Sequence, residues 1–317
     1  MVHPIAMQNE SKQPKTIAFS PITPQDKPTL ERFLYREPER GCEFSFANLC
    51  LWGQQNYAVT GGQLVLFSHF DDIDVYTYPF GDGDKKPVLD AILADAAARE
   101  IPCRITGLTD ASRETLEALY PGKFRIHDDD SAYNYVYAID DLADLKGKKY
   151  HGKRNHLHRF AEAHPDYRVE PLEARHRGDV LALVQRWYAD RPDAEDADSQ
   201  MEQTAILRAM DNLRALEMEG LVLLDGGEVL AVTFASRMSA DTFDVHFEKA
   251  RADVNGAYTA INCEFSRYIR EKYPDIRFLN REEDLGIDGL RQAKQSYHPH
   301  HMVKIYWASL TEDDNEH

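Results

Sequence analysis

The chain of 317 residues is 43% hydrophobic and 29% charged, with a formal net charge of -17. It is long enough to bury a sizeable core, and its length fits two domains of ordinary size. Its acidity argues against a general nucleic-acid binder, because such proteins gain affinity by neutralising phosphates.

No apolar run approaches the roughly 18 residues of a membrane-spanning helix, and residues 1–15 lack the apolar core of a signal peptide. A cytoplasmic location is expected. The cysteines Cys42, Cys50, Cys103 and Cys263 form no Cys-x-x-Cys pair. They read as buried reduced thiols rather than as a disulfide framework or a metal site.

Residues up to about 20 are polar and read as loose, and helices are expected at 28–34 and 44–52. A hairpin follows, with Tyr57-Ala-Val-Thr60 and Gln63-Leu-Val-Leu-Phe67 flanking Gly61-Gly62, and 73–78 continues the sheet. The loop Gly81-Asp-Gly-Asp84 leads into a helix at 87–99, whose Val88, Leu89, Ile92, Leu93 and Ala96 share one side. A strand at 104–106, a helix at 112–119 and a closing strand at 133–139 complete the first unit. The order then recurs: helices at 178–188 and 201–216, a strand at 221–224, Gly226-Gly227, and strands at 229–236 and 242–248. A helix opened by Asn255-Gly256-Ala257 and closed by Tyr273-Pro274 follows, then a strand at 276–279 and a closing strand at 302–307.

Element order repeats although sequence identity between the copies is negligible. It points to a duplicated α/β unit, each copy a mixed sheet with helices on its faces, over residues 17–145 and 146–310. Coincidence among ordinary α/β units is the competing explanation.

Three stretches carry candidate chemistry. The first, Lys146-Gly-Lys-Lys-Tyr-His-Gly-Lys-Arg-Asn-His-Leu-His-Arg159, holds six lysines or arginines, three histidines and no acid. In so acidic a chain it suits a phosphate-bearing partner, with Lys149, Lys153, Arg154 and Arg159 as contacts and a helix dipole starting near Gly152 adding to them. The competing reading is a solvated helix paired with the acidic remainder. His156 and His158 are two apart and point to different sides of a helix, so they make no convincing metal site. In the second stretch, the first amides of the helix at Asn255-Gly256-Ala257 can receive an anion or a carbonyl oxygen, or Asn255 can simply cap them. The preceding Arg251-Ala-Asp-Val254 lacks the second glycine that acetyl-coenzyme A enzymes favour.

The third stretch follows a strand directly: Asn280, Arg281, Glu282, Glu283 and Asp284 are consecutive, and Arg291, Lys294 and Tyr297 come after them. Such carboxylates can take a proton from an attacking amine or hydroxyl, or hold an ammonium. Arg291 and Lys294, three apart, share one face of a helix and can neutralise a phosphate or an oxyanion. Alternatively, Asp284 and Arg291 pair to brace the loop, with Tyr297 packed beneath it.

The run Asn280-Arg-Glu-Glu-Asp-Leu-Gly286, then Gly289-Leu-Arg291, Lys294, Ser296-Tyr297 and Pro299, resembles the signature of the family that includes the C-terminal domain of phosphatidylglycerol lysyltransferases. Lys153-Arg-Asn-His-Leu-His-Arg-Phe160, Phe247-Glu-Lys-Ala250, Gly256-Ala-Tyr258 and Ile261-Asn262 also resemble it. The resemblance covers the chain from about residue 20 onward. It implies two tandem GNAT (acyl-CoA N-acyltransferase-like) domains, related to the peptidoglycan-branching aminoacyltransferases. It further implies aminoacyl-tRNA as donor, with acetyl-coenzyme A the alternative, and an amine or hydroxyl acceptor on a small molecule or a lipid headgroup.

The roles that follow by resemblance place Asp284 or Glu283 as proton acceptor or amine ligand, Arg291 and Lys294 as cations, and Tyr297 with them in the catalytic set. Lys149, Lys153, Arg154, Arg159, Glu248, Asn255, Gly256, Tyr258, Asn262, Asn280 and Arg281 become substrate contacts. An aminoacyl ester is already activated, so positioning, a proton acceptor and oxyanion donors suffice. No metal and no permanently bound cofactor is expected. The chain departs from the characterised lipid enzymes in having no membrane-spanning portion, which leaves the acceptor open. A catalytically silent binder of tRNA ends or anionic headgroups is the reading from a different class.

Overall fold

A computed structural model describes residues 16–35, 41–53, 55–70, 73–189 and 197–311. In chain order it begins with β1 (Ser20–Pro21), α1 (Lys27–Leu34), α2 (Phe46–Trp52), β2 (Gln55–Thr60), β3 (Gln63–Phe70) and β4 (Ile73–Thr77). It continues with α3 (Lys86–Arg99), β5 (Arg104–Leu108), α4 (Asp110–Leu119), β6 (Phe124–Asp128), β7 (Asn134–Ala138) and α5 (Ile139–Asp144). Next come α6 (His151–Ala163), β8 (Arg168–Pro171), α7 (Arg177–Ala189), α8 (Ala197–Asn212), β9 (Met218–Asp225) and β10 (Glu228–Arg237). The last are β11 (Thr242–Ala250), α9 (Ala257–Lys272), β12 (Phe278–Asn280), α10 (Asp288–Gln295), β13 (His301–Val303) and β14 (Tyr306–Leu310).

Both Gly-Gly pairs make the expected hairpin turns, at φ of 57° and 77° for Gly61 and Gly62 and of 56° and 88° for Gly226 and Gly227. That left-handed backbone matches the twist of the flanking strands. In each half a helix then connects two parallel strands, β4-α3-β5 and β11-α9-β12, while the remaining pairs are antiparallel. The result is two mixed α/β sheets. Of the apolar residues at helical spacing after Gly256, Ala257, Ile261, Phe265 and Ile269 are buried and Tyr268 is half-buried.

The sheets do not follow the chain in two consecutive blocks. Their strand orders are β1-β2-β3-β4-β5-β14-β6 and β13-β7-β12-β11-β10-β9-β8. The stretch 133–139, expected to close the first unit, instead supplies β7 to the second sheet, between β12 and β13. Residues 134–137 are all buried, and a strand enclosed on both faces belongs at a sheet's interior. The single closing strand expected at 302–307 is two: β13 stays in the second sheet, and β14 crosses to lie between β5 and β6. A boundary between 145 and 146 is therefore crossed by strands in both directions. The halves also share a core, in which Leu30, Phe44 and Leu49 pack with Val184, Ile206 and Phe247.

One irregularity positions the site. Phe234 of β10 faces Phe247, yet Ala235 faces Val245, so His246 is an extra residue in β11. Such a bulge re-aims the side chains on either side of it. Phe243 and Val245 enter the core beneath α9, whereas Phe247 enters the core shared by the two halves.

Candidate functional site

The loop after β12 is held from within. Asp284 is fully buried. It accepts hydrogen bonds from the Tyr135 hydroxyl at 2.6 Å, Arg291 Nε at 2.8 Å, Arg291 Nη2 at 3.1 Å and the Gly286 amide at 2.9 Å. Four donors fill the roughly four lone-pair positions of a carboxylate. Burial raises its pKa, but the bonds from Arg291, Tyr135 and Gly286 together hold it below the usual carboxylate range. Arg291 also donates to Asp130 at 3.0 Å. The expectation of Asp284 as a free proton acceptor and Arg291 as a phosphate cation is thus corrected: the pair braces a loop whose Glu282 and Leu285 sit at φ of 60° and 53°.

Lys294 is turned inward as well. Its ammonium donates to the carbonyls of Arg281 and Glu283, and burial pushes its pKa down. It fastens the loop backbone and does not present a cation to solvent, which corrects its expected role. Glu283 faces the first half, where the Cys42 thiol donates to it at 2.9 Å. Burial first, and Glu282 next, raise the Glu283 pKa, and burial with Glu283 and Glu282 pushes Glu43 up to about 8. Asn280 is buried and donates to Asn134 Oδ1 at 2.9 Å, so it orders backbone rather than contacting substrate.

On the other side of the loop, five residues converge. Arg281 Nη2 donates to Glu248 Oε1 at 2.9 Å, and Asn262 Nδ2 donates to Glu248 Oε2 at 3.3 Å. Arg281 Nη1 and Asn262 Oδ1 are buried with no hydrogen-bond partner among the described residues. Leaving such groups unpaired costs free energy unless a ligand satisfies them. Above them Lys153 Nζ lies 3.7 Å from the centre of the Tyr297 ring, and Arg281 stacks on the same ring at 5.0 Å. Burial, then Arg281, pushes Lys153 down to about 8, against an opposing pull from Glu248.

Gly256 lets α6 carry Lys153 into this position. It sits at φ of +86°, and a Cβ there would lie 2.6 Å from the His156 carbonyl oxygen of α6. Gly256 is itself the residue before the first turn of α9, with no side-chain cap, so Asn255 is exposed and does not cap the helix. Beside that turn a cavity of about 280 Å³ is lined by Leu183, Arg186, Trp187, Arg251, Asp253 and Tyr258. Trp187 Nε1 donates to the Tyr258 hydroxyl at 2.6 Å. Tyr258 stands one helical turn before Asn262, on the same face of α9.

Residues 36–309 match the family model described as phosphatidylglycerol lysyltransferase, C-terminal. The chain belongs to this family. It is similar to a solved conserved protein of unknown function from Bacteroides thetaiotaomicron, at 36% identity and a TM-score of 0.88, covering 93% of this chain and 100% of that one. Against L-PGS from Bacillus licheniformis the identity is 14% and the TM-score 0.67, over 93% and 94% of the two chains. A tandem GNAT protein from the clavulanic acid biosynthesis pathway aligns at 10% identity and a TM-score of 0.52, over 92% and 98%. These two likenesses are of fold, and the fold is two GNAT-like domains in tandem. A curated protein from Mycoplasmoides gallisepticum is 23% identical over 205 residues, 64% of this chain and 63% of the relative's length.

Within the lysyltransferase-family signature, then, Arg281, Glu248, Asn262, Lys153 and Tyr297 come together, while Asp284, Arg291, Lys294 and Asn280 build the loop. The remaining basic residues mostly have internal work. Lys149 pairs with Asp141 at 3.0 Å, and Arg154 donates to the carbonyls of Leu145 and Gly147, so both already have partners within the chain. Arg159 is exposed and has no ion pair among the described residues. The sequence reading missed Tyr135 and Asp130, which hold Asp284 and Arg291. It also missed Asp244 and His246, although buried polar residues inside an apolar strand were a signal for them.

Proposed function

We propose that the chain transfers an aminoacyl group from charged tRNA to an amine or hydroxyl acceptor, at the constellation of Lys153, Glu248, Asn262, Arg281 and Tyr297. Family membership and the tandem fold support the transferase class. The single observation that carries the site is Lys153, held near pKa 8 over two buried polar atoms that have no hydrogen-bond partner among the described residues.

A lysine this close to neutrality is a competent proton acceptor at physiological pH. As the acceptor's oxygen or nitrogen attacks the ester carbonyl carbon, its proton passes to the Lys153 amine. Arg281, its fork oriented by Glu248, donates Nη1 to the carbonyl oxygen as that oxygen gains charge. The tetrahedral species then collapses: the carbon–oxygen bond to the tRNA ribose breaks, and the Lys153 ammonium returns the proton to the ribose oxygen. Asn262 Oδ1 is an acceptor suited to the aminoacyl ammonium. The cavity at the start of α9 offers the Trp187 and Tyr258 rings to the donor's terminal base.

The test incubates the protein with labelled charged-tRNA pools, or with labelled acetyl-coenzyme A, beside fractionated cell extract. Label leaving tRNA for a lipid or small-molecule fraction, and ceasing to do so in Lys153→Met, is the expected result. Label leaving only acetyl-coenzyme A replaces the donor. No transfer from either donor, or an unchanged rate in Lys153→Met, overturns the reading.

A further inference from the structure

We propose that Asp244, His246 and Glu282 form a site for one divalent first-row cation of the zinc type, tying the signature loop to the bulge in β11. None of its three ligands takes part in the chemistry proposed for Lys153, and the site lies on the opposite side of the loop from that lysine.

The bulge places the His246 imidazole where its side chain has no solvent exposure. Nε2 lies 2.8 Å from Ser236 Oγ, which suits an N–H donated to the hydroxyl. That tautomer leaves the Nδ1 lone pair facing Asp244 Oδ2 at 3.4 Å and Glu282 Oε1 at 3.5 Å. Nδ1 has no hydrogen-bond partner among the described residues. A lone pair buried against two carboxylates is repulsive unless something positive stands between them.

The spacing fits a metal better than a hydrogen bond. Good N–H···O bonds run from about 2.7 to 3.2 Å, shorter than both separations. Ligand atoms on a tetrahedron with metal–ligand bonds of about 2.1 Å lie about 3.4 Å apart. The nitrogen and the two oxygens all fall within 4.8 Å of one another, and one imidazole with two carboxylates is a donor set that zinc accepts. Outer contacts of the expected kind are present: Ser236 fixes the imidazole, and Asn48 Nδ2 donates to Glu282 Oε1 at 3.0 Å. Cys42 Sγ and a Glu283 carboxylate oxygen also lie within 4.8 Å of the Glu282 carboxylate. Since Glu282 adjoins Arg281, a cation here fixes the loop on which Arg281 is mounted.

The test uses the whole chain, freed of metal by dialysis against a chelator and titrated with Zn²⁺ or with Co²⁺ as a coloured substitute. One equivalent bound, intense visible Co²⁺ bands of tetrahedral type and a raised melting temperature are expected. All three should be lost in His246→Gln and in Glu282→Gln, and kept when the exposed His300 and His301 are both changed to Ala. Should His246→Gln fail to fold, Glu282→Gln, on a partly exposed loop, carries the comparison. The proposal falls if the wild-type chain takes up no metal. It falls equally if uptake survives both ligand changes, or disappears with His300 and His301.

Discussion

The Lys153 ammonium rests 3.7 Å from the centre of the Tyr297 ring, close enough to have shed much of its water. The ring's negative face favours the charged form, but burial and Arg281 outweigh it and set the pKa at about 8, against an ordinary 10.5. Transfer should therefore rise with pH along a limb centred near 8 and level off above it. Lys153→Arg, which stays charged, should remove the limb and slow transfer by about 10²- to 10⁴-fold. Initial rates of kcat/KM against pH check this. The linked effect on stability has the opposite origin. Between about 8 and 10.5 the unfolded chain binds more protons at this residue than the folded one, so its contribution to stability grows with pH across that window.

Arg281→Gln should lower kcat by about 10²- to 10³-fold, the usual effect of removing one oxyanion donor. Arg281→Lys should fall between, because it keeps the charge and loses the fork that Glu248 orients. A change confined to KM would assign Arg281 to substrate binding alone.

Asp284→Asn should destabilise the fold by about 1–3 kcal/mol, because it replaces one carboxylate oxygen at a buried position with an amide that cannot accept all of the bonds from Tyr135, Gly286 and the half-exposed Arg291. Urea unfolding at fixed pH measures it. A loss within a few tenths of a kcal/mol would mean the loop does not depend on the brace, and would reopen a direct catalytic role for Asp284.

Gly256→Ala should cost about 2–4 kcal/mol, combining a left-handed φ with a clash against backbone. Gly289→Ala is the control: it lies in α10, and nothing approaches its added Cβ within 4 Å. It should stabilise by about 0.5–1 kcal/mol. Thermal melts of the two variants, moving in opposite directions, would bear out the close approach of α6 and α9.

The elements were largely legible in the sequence because they rest on local signals. The face of α9 and both Gly-Gly hairpins show in the spacing of a few neighbours. The exchange of β7 and β14 between sheets has no local signal, since β14 pairs with β6 across most of the chain. Lys153, Glu248, Asn262, Arg281 and Tyr297, which the structure brings together, were all named from the sequence, but the direction of the densest charges was not. The densest charges, Asp284, Arg291 and Lys294, were expected to face a substrate, and they face the loop's own interior. Charge density gives no orientation; what turned Asp284 and Arg291 inward were Tyr135 and Asp130, 149 and 161 residues away. Likewise, nothing in Asp244-Val-His246 announces an extra residue in β11, because a bulge exists only relative to the strand opposite.

The position of β14 governs when this protein can fold. Among the described residues β6 has only β14 as a neighbour in its sheet, and β14 alone joins it to β5. A nascent chain that has emerged as far as residue 300 thus has every helix and every other strand of its first half, and still an open seam through that sheet. At about 5–20 residues per second, the wait between synthesis of β6 and of β14 lasts on the order of ten seconds or more. During it the apolar flanks of β5 and β6 are uncovered, and either chaperones or the partly built second sheet must shield them. The first half acquires its native state only when the ribosome has finished the second.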